Sequence, residues 1–210
     1  MHRPRKRFGQ NFLRDQHVLD RIVHAAELQA GDRILEIGPG AGALTNRLLE
    51  TGLPVLAVEI DRDLGAALQE RSDKNLTVFV GDVLRMDWAK LLSDPPYKLI
   101  ANLPYNISSQ ILFRVLEYRR WFRRLILMFQ KEVGERLIAP VGSREYGVLS
   151  VLMQTWFQID RVAKVSRNAF YPTPKVDSVV LRLDPLTAPR IVLRNAELFR
   201  RLVRGAFAQR

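Results

Sequence analysis

Apolar residues in this chain fall in short, nearly continuous runs. Five of them, 33–38 (RILEIG), 54–60 (PVLAVEI), 76–81 (LTVFVG), 98–102 (KLIAN) and 124–129 (RLILMF), have the length of strands and the density of strands covered on both faces. Between them, residues 43–50, 63–71 and 108–118 read as helices, the last opened by Ser108 as its cap. The alternation predicts an α/β fold built on a doubly wound, mostly parallel sheet. Residues 159–165 and 177–183 alternate more cleanly and predict an antiparallel pair at the sheet edge. Residues 195–207 gather Leu198, Phe199, Leu202, Val203, Ala206 and Phe207 into an amphipathic helix, with Arg200, Arg201 and Arg204 elsewhere around it. The chain divides into a basic arm with a first helix (1–30), a cofactor-binding catalytic domain (31–186) and a stretch (187–210) that reads as the start of a truncated helical region.

Composition changes this picture in two ways. The 210 residues include no cysteine, which removes disulfides and thiolate metal sites and fits a reducing compartment. His2, His17 and His24 lack ligand spacing, so no metal is expected, and no run suggests a membrane span or a leader peptide; the expected location is the cytoplasm and the expected state a monomer. The net charge of +11 is uneven. Residues 31–100 hold 8 Lys and Arg against 11 Asp and Glu, a net of −3, so the rest of the chain carries +14. A near-neutral middle between basic flanks points to a polyanionic partner. RNA or DNA is favoured over a membrane, because no basic amphipathic anchor with exposed Trp or Phe stands out.

The strand ends carry the candidate chemistry. After the first run, Glu36-Ile37-Gly38-Pro39-Gly40-Ala41-Gly42 opens a helix, and Gly38, Gly40 and Gly42 let the backbone turn tightly against a ligand. The spacing is Gly-x-Gly-x-Gly, which differs from the dinucleotide fingerprint without excluding a dinucleotide. Glu59, followed by Ile60, can accept hydrogen bonds from ribose hydroxyls, a role that serves NAD and S-adenosylmethionine alike. Asp82, before Val83, can accept from an adenine amine or cap a helix near Leu84.

The fourth strand delivers Asn102-Leu103-Pro104-Tyr105. An exocyclic amine is a poor nucleophile because its lone pair is delocalised into the ring. The Asn102 side-chain carbonyl and a backbone carbonyl can take its hydrogens and free that lone pair. Pro104 keeps Leu103 extended, and Tyr105 offers a face for an unstacked base. The bland alternative is a strand-to-turn junction. Asp94-Pro95-Pro96-Tyr97 looks similar but precedes the strand, whereas ligands of open parallel sheets bind beyond the carboxyl ends. Those four residues are read as a turn.

On these residues, together with Phe8-Gly9-Gln10-Asn11-Phe12-Leu13, Gly81-Asp82-Val83-Leu84 and the stretch Phe170 to Ser178 (FYPTPKVDS), the chain resembles the ribosomal RNA adenine dimethyltransferases, and among them the small-subunit enzymes, along nearly its whole length. The resemblance implies a Rossmann-like class I fold that uses S-adenosylmethionine. It implies that Asn11 and Leu13 close over the cofactor, that Gly38, Glu59, Asp82 and Asn102 line it, and that Tyr105 and Phe170 clamp the target adenine. It further implies dimethylation of two adjacent adenines near the 3′ end of small-subunit rRNA. Family members continue into a small helical domain at the point where this chain stops.

Two basic clusters suit an RNA partner: the arm Arg3, Arg5, Lys6 and Arg7, and the run Arg114, Arg119, Arg120, Arg123 and Arg124, interleaved with Tyr118, Trp121 and Phe122. For the second cluster, a solvated helix end over buried aromatics is a competing reading. Rival functions are a large-subunit (23S) rRNA methyltransferase of the antibiotic-resistance type, a non-catalytic RNA- or DNA-binding factor, and an NAD-dependent dehydrogenase. Asn102 and Tyr105 argue against the last two.

Overall fold

The computed structural model describes Arg5 and residues 9–208. In chain order the elements are β1 (Phe12–Leu13), α1 (Gln16–Ala25), β2 (Ile34–Ile37), α2 (Ala43–Leu49), β3 (Val55–Glu59), α3 (Arg62–Gln69), β4 (Leu76–Val80), α4 (Trp88–Leu91), β5 (Tyr97–Asn102), α5 (Ser108–Glu117), β6 (Phe122–Gln130), α6 (Lys131–Leu137), α7 (Val148–Trp156), β7 (Phe157–Val165), β8 (Phe170–Tyr171), β9 (Ser178–Pro185) and α8 (Ala196–Ala206).

Seven strands form one sheet in the order β4-β3-β2-β5-β6-β9-β7. The first five are parallel, and β9 runs antiparallel to both β6 and β7, which is the expected edge pair. Alternate residues of β6 explain why its sequence shows no alternation. Leu125, Leu127 and Phe129 pack against α5, α7 and α8, whereas Ile126 and Met128 face the α1 and α2 side. Both faces are covered, so both sets are apolar.

Side chains and glycine set the element starts. Asp15, Asp61, Asp87 and Asn195 cap α1, α3, α4 and α8 through backbone N–H groups. Ser108 does not cap α5. The cap position is Ile107, and the Ser108 hydroxyl donates back to the Pro104 (3.2 Å) and Tyr105 (3.4 Å) carbonyls. The turn that presents Pro104 and Tyr105 thus claims this serine. Three helices lie beyond the sequence reading, the single turn α4 and the pair α6 and α7 that covers the β6 and β9 region. Gly134 allows α6 to sit so close that a Cβ there would lie 2.0 Å from Val179 Cγ1.

The two ends of the parallel strands differ. At the amino end, Lys98 lies 2.8 Å from Asp32 and donates to the Ala26 (3.0 Å) and Glu27 (2.6 Å) carbonyls. Arg124 there bridges Glu27 and Asp184, each at 2.7 Å. Asp94 to Tyr97 belong to this end, with Asp94 paired to Arg33 and Tyr97 buried in the core. The carboxyl end opens instead into loops and a cavity.

Candidate active site

That cavity, about 780 Å³, is walled by the tips of β2, β3, β4 and β5 and roofed by the segment around β1. Gly38 and Gly40 adopt φ of 70° and 60°, which glycine reaches without strain. The turn also brings neighbours into contact. A Cβ on Gly38 would lie 3.3 Å from the Pro104 ring, and one on Gly40 would lie 2.9 Å from the Phe12 ring. Glycine there lets the loop, the tetrapeptide and the roof meet. Gly42 (φ 85°) is not on the wall; it starts α2 and packs against Leu68 and Arg71.

Glu59 is buried, and its two oxygens accept from the backbone N–H of Gly40 and of Asp61, both at 2.9 Å. Burial pushes its pKa up, and these backbone bonds oppose the rise. Each oxygen keeps a lone pair for a ligand hydroxyl. Asp82 lines the cavity and accepts from Leu84 N–H at 3.0 Å, closing a turn and not a helix; Arg85 lies 3.5 Å from its other oxygen. Ile60 and Val83 stand beside these carboxylates on the wall.

Asn102 Nδ2 donates to the Asn11 carbonyl at 3.3 Å. With its donor end held by the roof, the amide presents its oxygen as an acceptor. Asn11 in turn donates to the Gly9 carbonyl. Leu103 is buried, and Tyr105 places its hydroxyl 2.8 Å from Ser178 Oγ, which fixes the ring at the cavity edge. Burial raises the Tyr105 pKa, so the phenol stays neutral near pH 7.

Asn11, Leu13, Gly38, Gly40, Glu59, Ile60, Asp82, Val83, Asn102, Leu103, Pro104 and Tyr105 therefore meet around one cavity. Phe170 does not join them. It is 3% exposed, opposite Leu13 in the β1–β8 pair, and packed in the core on the α1 and α2 side. Its neighbour Tyr171 lines the cavity instead, with the Arg14 guanidinium 4.2 Å from its ring centroid. A two-residue strand has one inward and one outward side chain, and local sequence cannot say which.

Two further residues were illegible as site residues. Asp61, fully buried, accepts from Arg5 and Gln10 at 2.9 Å and so anchors the roof. Arg5 also pairs with Asp63, so it is not a free phosphate contact; Arg3, Lys6 and Arg7 lie outside the described residues. Glu36, on the cavity wall, is 1% exposed, and its Oε2 has no hydrogen-bond partner. Burial pushes its pKa up to about 8, the neighbouring Thr45 hydroxyl opposes the rise, and the nearby Glu59 charge adds to it. Its place in the glycine motif was the available signal.

The sequence profile described as ribosomal RNA adenine dimethylase matches residues 1–210. Over 209 residues the chain is 62% identical to a ribosomal RNA small subunit methyltransferase A of Syntrophotalea carbinolica, covering 100% of this chain and 79% of that protein. It is 49% identical to the protein of the same name from Geobacter sulfurreducens, covering 99% and 77%. Among solved structures, a dimethyladenosine transferase from Plasmodium falciparum superposes with a TM-score of 0.82 at 33% identity, covering 94% and 71% of the two chains. The 23S rRNA methyltransferase ErmE superposes at 0.75 with 30% identity, covering 94% and 79%.

Proposed function

The chain belongs to the ribosomal RNA adenine dimethylase family, and from that premise we propose that the tetrapeptide at the tip of β5 methylates the exocyclic amines of two adjacent adenines near the 3′ end of small-subunit rRNA. S-adenosylmethionine is the cofactor and supplies an electrophilic methyl carried on a sulfonium. The cavity fits it. Glu36 Oε2 is a buried acceptor without a partner, suited to an ammonium, and Glu59 and Asp82 retain acceptor capacity for hydroxyl and amine hydrogens.

The observation that carries this reading is the Asn102 amide, tethered through Nδ2 to the Asn11 carbonyl at the mouth of the cofactor cavity. Its Oδ1 takes one hydrogen of the adenine amine. The Pro104 carbonyl is occupied by Ile107 N–H (3.1 Å) and the Ser108 hydroxyl (3.2 Å), so the second hydrogen falls to the Leu103 carbonyl. The amine is pulled towards tetrahedral geometry and its lone pair turns to the methyl. After attack the cationic nitrogen releases one of its two protons to solvent as the product leaves, and the hydrogen that remains serves one acceptor, which permits a second round. Tyr105, braced by Ser178, stacks the base, and Tyr171 offers a second aromatic face where Phe170 does not reach. The chain needs no strong base; it supplies alignment and excludes water.

Residues 1–30 and 31–186 form, on this reading, one catalytic unit working as a monomer in the cytoplasm, and 187–210 begin a helical region. Incubation with labelled S-adenosylmethionine and undermethylated small ribosomal subunits tests the reading. Label should appear in dimethyladenine near the 3′ end of the small-subunit RNA. The likeness to ErmE makes the large-subunit RNA the competing substrate, and label confined to it would overturn the small-subunit assignment. Asn102→Ala should abolish transfer while leaving the fold intact by circular dichroism; an active variant would remove Asn102 from the mechanism.

A further inference from the structure

The basic run that begins in the last turn of α5 divides in two. Arg114 is held by the Met86 carbonyl (2.9 Å) and Glu117 (3.4 Å), Arg123 lies 3.7 Å from Asp32, and Arg124 is bound by Glu27 and Asp184. These three are accounted for inside the fold. Among the described residues Arg119 and Arg120 have no carboxylate partner, and both line a second cavity of about 620 Å³. It lies at the sheet end opposite Asn102, closed by Trp156 and by Leu186, Pro189 and Leu193 of the β9–α8 loop.

Arg119 stacks on Trp156, with its guanidinium carbon 3.7 Å from the ring centroid, and donates to the Leu116 carbonyl at 3.2 Å. The stack covers the face of the guanidinium, and the N–H groups that Leu116 does not take remain in its plane for phosphate oxygens. Burial, and the like charges of Arg120 and Arg200, hold the Arg119 pKa below its usual value. Arg190, next to Pro189, bonds only neutral groups, the Gln154 carbonyl (2.9 Å) and Gln158 Oε1 (2.6 Å). Glu117 and Asp184, the acids nearest in sequence to Arg119 and Pro185, are engaged by Arg114, Arg124 and Arg182. Arg119 and Arg120 thus line an apolar-walled cavity, Arg200 lies one turn along α8 from Ala196, which lines it too, and Glu117 and Asp184 supply it no free anion. Such a field favours a bound polyanion.

We propose that this cavity is a second RNA-binding site, where Arg119, Arg120 and Arg200 hold a phosphodiester of the substrate RNA at a distance from the target adenine. The proposal rests on the rRNA reading above and deepens it. The length of β6 places the cavity roughly 20–25 Å from Asn102, so the phosphodiester it holds lies several nucleotides, or a separate part of a folded RNA, away from the target base.

The test pairs Arg120→Glu with Arg200→Glu, both exposed positions outside the cofactor cavity. Binding to undermethylated small-subunit particles is measured over a series of salt concentrations, with S-adenosylmethionine binding by calorimetry as the control for an intact fold. The double variant should bind RNA roughly tenfold or more weakly, and the slope of log K against log salt should fall by about 2. Cofactor affinity should be unchanged. Arg119→Lys, which keeps the charge and loses the fork, should show part of the loss. Unchanged RNA affinity and slope in the double variant would overturn the proposal, as would a loss of inorganic phosphate binding alone. If the wild-type chain neither binds nor methylates rRNA, the reading of function fails first and this site falls with it.

Discussion

Glu36 shows how one side chain couples the cofactor cavity to pH. Its carboxyl is protonated in the folded chain up to about pH 8 but ionises near 4.5 when unfolded. Between those values the folded state binds more protons, so stability falls as pH rises through that window, and the raised Glu59 adds in the same sense. Denaturant midpoints without cofactor should therefore drop by an amount worth a few kcal/mol from pH 5 to 8, and Glu36→Gln should flatten most of that slope. Cofactor affinity should rise over the same window in the wild type, because only the ionised carboxylate pairs with an ammonium; a pH-independent Kd would remove Glu36 from the site. Residue types at the strand tips were legible because each carries chemistry of its own: an amide, a carboxylate, a glycine. Phe170 and Tyr171 were not, since an aromatic pair says nothing about which ring faces the core.

Elements explain the rest of what was readable. The parallel strands stood out because burial on both faces forces continuous apolar runs, and their parallel direction followed from the alternation with helices. The α6 and α7 helices were hidden for opposite reasons. The first, KEVGERL, carries a glycine that weakens a helical reading, and the second, VLSVLMQTW, is apolar on most faces and reads equally as strand or core helix. Gly134 is there for packing. Gly134→Ala should cost about 1–3 kcal/mol, because its methyl would overlap Val179, despite a gain of ~1 kcal/mol in helix propensity. Urea unfolding would register this, and a stabilised variant would show that the α6–β9 contact yields easily.

Across the whole molecule the sheet has one closed end and one open end. Lys98 and Asp32 at the closed end are buried together, so Lys98→Met should destabilise the chain by about 3 kcal/mol or less, since Asp32 keeps the Gln29 N–H and Arg123 at 3.7 Å, with cofactor affinity unchanged; a shift in that affinity would show that the two ends communicate. The same division separates what was readable beforehand from what was not. Strand polarity, the cofactor loop, Asn102 to Tyr105 and the basic balance all follow from short-range pattern and charge, which the sequence carries explicitly. It could therefore dismiss Asp94 to Tyr97 and point to methylation of an exocyclic amine with a nucleic-acid partner, while the adenine of rRNA came with the family resemblance. The tether of Asn102 to Asn11, the anchoring of Arg5 on Asp61, the orphaned oxygen of Glu36 and the division of the arginines into paired and unpaired sets join residues tens of positions apart. Only folding brings those groups within hydrogen-bond range, and burial then decides which charges are satisfied internally and which are left for a ligand.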